Sequence, residues 1–148
     1  MKRKKILFVC TGNTCRSPMA EALLRSKIKK NKIKFWDVAS CGIHAEIGGK
    51  LSENSRLALQ EIGLSLDKFM PRQLTQKRIA ASTLVVCMTA NQKLMLENCG
   101  NIVSIKDFFG VDVPDPFGMD LNAYRCARDV LSEVCDFLVK NYILPYQD

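Results

Sequence analysis

The chain has 148 residues, 47% of them apolar and 25% charged, with a net charge of +7. That size suits one domain spanning residues 1–148, able to bury a core without disulfides or metals, and the composition excludes a disordered or fibrous chain. No apolar run approaches a bilayer span, and the basic start Met1-Lys2-Arg3-Lys4-Lys5 leads into only a few apolar residues, so neither secretion nor a membrane partner is expected.

Lys5-Ile6-Leu7-Phe8-Val9-Cys10 is a short continuous apolar run closed by a Gly-containing loop, the pattern of a strand buried on both faces. Ser17-Pro18 is a helix-start signal, and Met19, Leu23, Leu24 and Ile28 continue at helical spacing to an end near Lys30 to Lys32. Phe35 to Ser40 reads as a second strand and Gly42 to Lys50 as a loop. Ser52 is expected to cap a helix carrying Leu57, Leu59 and Ile62, ended by Gly63. Thr83 to Met88 is a third buried strand, Asn91 to Asn98 a short helix, and Ile102 to Ile105 a fourth strand before the Pro-bearing loop Val111 to Met119. In the last helix, Ala123 to Tyr142, the residues Val130, Leu131, Val134, Phe137, Leu138 and Val139 form one broad stripe. Strands alternating with helices predict an α/β fold with a parallel sheet, whose ligands bind beyond the carboxyl ends of the strands. The loop after Cys10 lies at such an end.

Seven cysteines, several inside apolar stretches such as Leu84-Val85-Val86-Cys87, suit reduced thiols and a cytoplasmic location. There is no CxxC pair and His44 is the only histidine, so no metal site is expected. The basic clusters at Lys2 to Lys5 and Lys27 to Lys34 lack interleaved aromatics; they read as solvated faces, and no nucleic acid partner is expected.

The chemistry concentrates in Cys10-Thr11-Gly12-Asn13-Thr14-Cys15-Arg16-Ser17. Cys-x5-Arg by itself would occur in about a third of chains with this many cysteines. Its context carries the weight: the motif leaves a buried strand, contains Gly12 and Asn13 for tight or left-handed backbone, and enters a helix at Ser17-Pro18. A strand–loop–helix turn of this kind aims backbone N–H groups and the positive helix end into one concavity, which favours a tetrahedral dianion such as phosphate. The same field favours the thiolate of Cys10, a nucleophile, while Arg16 can grip two phosphate oxygens with its planar fork. Ser17 can donate to the thiolate or serve simply as a helix cap.

The sequence resembles the low-molecular-weight protein tyrosine phosphatase family. The residues that carry the resemblance are Val9-Cys10-Thr11-Gly12-Asn13-Thr14-Cys15-Arg16-Ser17-Pro18-Met19-Ala20-Glu21 and the distant Asp115-Pro116-Phe117-Gly118, with further agreement at Ser40-x-Gly42 and Arg72-Gln73-Leu74-Thr75. The resemblance implies a three-layer sandwich: a four-stranded parallel sheet with helices on both faces and the phosphate-binding loop, Thr11 to Ser17, between the first strand and first helix. It implies a two-step reaction on phosphorylated proteins through a phosphocysteine at Cys10, releasing inorganic phosphate, with Arg16 as clamp and Asp115 as general acid and no cofactor. A carboxyl on a Pro-rigidified loop suits that role, since it can protonate the leaving group and then activate water. Asn13 and Ser40 match positions that hold the loop in shape; Phe69 departs from the pattern, standing where many members have a histidine of that supporting network. Cys15 matches the second cysteine that can form a disulfide with the nucleophile, which implies reversible inactivation by oxidation.

Specificity is expected from Thr14, His44 and Phe117. Tyrosine-specific relatives usually carry isoleucine at the position of Thr14, whereas relatives resembling protein arginine phosphatases carry threonine and also read Asp-Pro-Phe-Gly. Phosphoarginine is therefore favoured over phosphotyrosine, with the low-molecular-weight tyrosine phosphatase as the alternative. His44 matches a pocket-wall position where an imidazole can stack on a guanidinium or ring. Two more distant alternatives are an arsenate reductase, which needs redox cysteines closer together than Cys87 and Cys99, and a non-catalytic phosphoprotein-binding module, which would not require a thiol at Cys10.

Overall fold

A computed structural model describes residues 2–96 and 101–146. Four parallel strands, β1 (Lys4–Cys10), β2 (Trp36–Gly42), β3 (Leu84–Cys87) and β4 (Ile102–Ser104), form one sheet in the order β2-β1-β3-β4. Period-two alternation divides β1 between two cores. Ile6, Phe8 and Cys10 face a large cluster built with helices α1 (Arg16–Lys30), α2 (Glu53–Gln60) and α6 (Leu121–Leu138), whereas Leu7 and Val9 face a smaller one with Val85, Cys87 and Ile79 of α3 (Gln76–Ala80). Burial on both faces is why β1 and β3 are continuously apolar in the sequence.

Helix α1 is buried on every side from Arg16 to Leu24, which fixes the loop that feeds it. Its last turn carries Lys27, Lys29 and Lys30, cations at the negative end of the helix. Helix α6 packs Tyr124, Ala127, Leu131, Val134 and Leu138 against the sheet and α1, starts at an Asp120 cap whose carboxylate accepts the Ala123 N–H at 3.1 Å, and continues as a π-helical turn over Val139–Ile143.

Several elements differ from the sequence expectation. Phe35 is outside β2: it has φ of 67° and is exposed, a left-handed residue turning the chain into the strand. Ser52 occupies the cap position of α2 but makes no side-chain capping bond. Ile62 lies beyond α2, in the turn closed by left-handed Gly63, and is exposed. Ile105 begins a helix, α5 (Ile105–Phe109), instead of ending β4. The helix expected over Asn91 to Asn98 is α4 (Ala90–Leu94), and the far end of that expectation, with Cys99, lies outside the described residues.

Candidate active site

The loop between β1 and α1 is held from outside by its own carbonyls. Gly12 O accepts from Glu46 N (3.3 Å), Thr11 O from His44 N (2.9 Å), Thr14 O from Ser52 N (2.9 Å) and Cys15 O from Ser55 Oγ (3.3 Å). In a trans peptide the C=O of one residue and the N–H of the next point in opposite directions. The N–H groups of Gly12, Asn13, Cys15 and Arg16 are therefore turned away from those partners, towards the concave side, where the positive end of α1 adds to them. Asn13, with φ of 58°, takes the left-handed turn; Gly12 does not have positive φ, and a Cβ there would meet Thr14 Oγ1 at an ordinary 3.7 Å. The glycine that close approach does require is Gly42, where a Cβ would lie 2.6 Å from Thr11 O and 3.0 Å from Asn13 N.

Behind the loop runs a directed hydrogen-bond chain. Asn13 Nδ2 donates to both Ser17 Oγ and Ser40 Oγ at 2.9 Å, and Ser40 Oγ donates to Glu21 Oε1 at 2.8 Å. Because Ser17 accepts from Asn13, its hydroxyl hydrogen is left for Cys10 Sγ at 2.8 Å. Asn13 Oδ1 accepts the Arg72 N–H (2.9 Å), and Glu21, itself buried, pairs with Arg25 at 3.1 Å and Arg72 at 3.5 Å. Phe69 meets this network through Arg72, whose guanidinium sits 5.7 Å from its ring centre.

The front of the loop is a cavity of about 180 Å³ lined by Cys10, Thr14, Cys15, Arg16, Asp115 and Phe117, with His44 and Glu46 at its rim. Arg16 is buried; its Nη1 donates to Val113 O at 2.9 Å, its Nη2 is 3.6 Å from Asp115 Oδ2, and its Nε has no partner among the described residues. Asp115 is half exposed, and its Oδ1 accepts the Phe117 N–H at 3.1 Å, which shapes the turn. Phe117 and His44 are exposed at the mouth. Cys15 Sγ is 3.4 Å from the Tyr124 hydroxyl, whose phenol burial pushes up from its ordinary value.

The structure thus gathers Cys10, Arg16, Asp115, Thr14, Cys15, His44 and Phe117 around one cavity and puts Asn13, Ser17 and Ser40 behind it. Sequence reasoning missed Glu21, Arg72, Tyr124 and Glu46. Glu21 and Arg72 both stood among the residues that carried the family resemblance, without an assigned part, and Glu21 carried a further signal, a charge within the otherwise uncharged stretch Ser17 to Leu24 of α1. Gln92, on α4, was also missed: its Oε1 accepts the Thr89 N–H at 3.0 Å while its Nε2 donates to Thr11 Oγ1 at 3.2 Å, tying the loop to the end of β3. Among the described residues no cluster of three or more His, Cys, Asp or Glu could hold a metal, and no helix is long and apolar enough to cross a membrane.

Comparison with known proteins bears on the fold and the family. Residues 5–143 match the family described as low molecular weight phosphotyrosine protein phosphatase. A protein-arginine-phosphatase of Geobacillus stearothermophilus is 37% identical over 92% of this chain and 94% of its own, and the low molecular weight protein-tyrosine-phosphatase Ptp of Acinetobacter johnsonii is 30% identical over 91% and 94%. The solved structure of the YwlE arginine phosphatase from Geobacillus stearothermophilus superposes with a TM-score of 0.85 at 35% identity, covering 98% of each chain. With the family match running through the cysteine loop, the aspartate loop and the closing helix, the chain belongs to the low-molecular-weight phosphotyrosine protein phosphatase family and is a protein phosphatase.

Proposed function

We propose that the protein removes phosphate from phosphoarginine in proteins through a phosphocysteine on Cys10. The observation that carries the chemical part is the Ser17 hydroxyl 2.8 Å from Cys10 Sγ, oriented by Asn13, beside a buried Arg16 whose Nε is unpartnered among the described residues. In the first step Cys10 Sγ attacks phosphorus as the P–N bond to the leaving guanidine breaks, and Asp115 delivers a proton to that nitrogen. In the second, water attacks the phosphocysteine as Asp115 takes its proton, the S–P bond breaks, and Ser17 stabilises the departing thiolate. Arg16 and the loop N–H groups hold the equatorial oxygens throughout.

The arginine preference rests on Thr14, Phe117 and the similarity to named arginine phosphatases. Thr14 is nearly buried in the cavity wall, leaving the floor more polar than a branched alkyl group would. Parallel kcat/KM measurements on matched peptides test it: phosphoarginine is turned over faster, and Thr14→Ile shifts the preference towards phosphotyrosine. A wild-type preference for phosphotyrosine contradicts it. Cys10 and Cys15 both line the cavity as free thiols, and we propose that their oxidation to a disulfide gives a reversible off state. Peroxide treatment should abolish activity with a Cys10–Cys15 link in the peptide map, restored by thiol; retained activity with Cys10 unmodified counts against it.

A further inference from the structure

We infer that Glu46 is a specificity-determining residue, a second carboxylate at the mouth that selects for a guanidinium next to the phosphoryl group; this rests on the phosphoarginine reading above. The molecule carries a net charge of +7, yet its cavity rim does not follow that excess. Asp115 and Glu46 stand at the mouth, Arg16 is at the floor, and no lysine lines the cavity among the described residues. A rim built to gather phosphoryl dianions alone would carry cations. With Asp115 serving as the proton donor, the charge at the mouth that bears on a bound dianion is that of Glu46, which repels it unless the substrate brings its own positive charge close to the phosphorus.

Phosphoarginine does, with a guanidinium one bond from phosphorus; the aryl group of phosphotyrosine brings no cation and no N–H donor there. Asp115 and Glu46 reach the cavity from different segments of the chain. Asp115 stands over Arg16, 3.6 Å from its Nη2, while Glu46 is bound through its own N–H to Gly12 O at 3.3 Å. A guanidinium held between them can present N–H groups in two directions, the geometry its planar fork provides and an aromatic ring lacks.

Glu46 is also fixed in place. Its carbonyl accepts the Gly49 N–H at 2.8 Å, and position 49 is closed to a side chain, since a Cβ there would lie 2.9 Å from Glu46 O, 3.2 Å from Glu46 Cβ and 3.5 Å from Oε2. Backbone ties on both sides, one of them to the phosphate loop itself, hold the Glu46 main chain beside the cavity that this residue lines.

The test compares wild type with Glu46→Gln, Glu46→Lys and Glu46→Asp on two peptides of identical flanks, one phosphorylated on arginine and one on tyrosine, at low and high ionic strength. The expected readout is the ratio of the two kcat/KM values. Glu46→Gln lowers the phosphoarginine-to-phosphotyrosine ratio roughly two- to fivefold, the range of a partly exposed ion pair. Glu46→Lys lowers it further, Glu46→Asp restores part of it, and salt narrows the gap between wild type and the glutamine variant. A ratio unmoved in both the glutamine and lysine variants, or equal losses on both peptides, overturns the inference. A wild-type preference for phosphotyrosine overturns the substrate reading instead, and the response of the ratio to charge at position 46 still decides the part played by Glu46.

Discussion

At the scale of single residues, the proposed chemistry divides between groups that touch phosphorus and groups that aim them. Asp115 is held by the Phe117 N–H and stands 3.6 Å from Arg16, so an asparagine there, whose amide oxygen still accepts that N–H, leaves the loop in shape and removes the group that gives the proton in the first step and takes it in the second. Asp115→Asn should lower kcat on alkyl- or guanidino-type leaving groups about 10²–10⁴-fold while KM changes little, read from steady-state kinetics. An unchanged kcat would move the acid elsewhere. These residues were legible before any coordinates because their chemistry is local: Cys10, Arg16 and Ser17 sit within eight consecutive positions, and Asp115 lies between two prolines. The bonds that aim them were not legible, because Asn13, Ser40, Glu21 and Arg72 converge only in the folded chain.

Among the elements, the end of β2 matters as much to the site as the phosphate loop. Gly42 passes so close that a Cβ would lie 2.6 Å from Thr11 O and 3.0 Å from Gly12 C, and both contacts are backbone, which has nowhere to rotate. Gly42→Ala should displace the loop, cutting kcat/KM about 10²-fold, while chemical unfolding shows a loss of about 1–3 kcal/mol. Loss of stability without loss of rate would mean that the loop tolerates the shift. The sequence marked β1, β3 and α6 because long apolar runs and stripes leave a periodic trace. It gave no sign of α3 or α5, each five residues long and too short for a helical period to show. Which of Gly12 and Asn13 takes the left-handed turn was left open by the sequence for a similar reason: either residue type can adopt it, and the two bonds from Asn13 Nδ2 decide it in favour of Asn13.

For the molecule as a whole, α6 closes the large core and is tied to the end of α2 through Glu61, which accepts from Arg125 Nε at 3.0 Å and Arg128 Nη1 at 2.8 Å. Arg125, then Arg128, hold the Glu61 carboxyl down at about 2, from an ordinary 4.5. A depressed carboxylate adds stability that is fully present above pH 4.5 and is lost as pH falls through about 2. Melting temperature should therefore fall over that window more steeply in wild type than in Glu61→Gln, and the two curves should converge at its acid end. Parallel curves would mean that the pair contributes nothing. The proposed chemistry turns on one bond, between sulfur of Cys10 and phosphorus. Rapid acid quench of Asp115→Asn with a phosphorylated peptide, followed by intact-mass and peptide mapping, tests it most directly. A single phosphoryl group on Cys10, absent from Cys10→Ala under the same conditions, is expected; full turnover by Cys10→Ala with no phosphorylated cysteine in Asp115→Asn rules the phosphocysteine out.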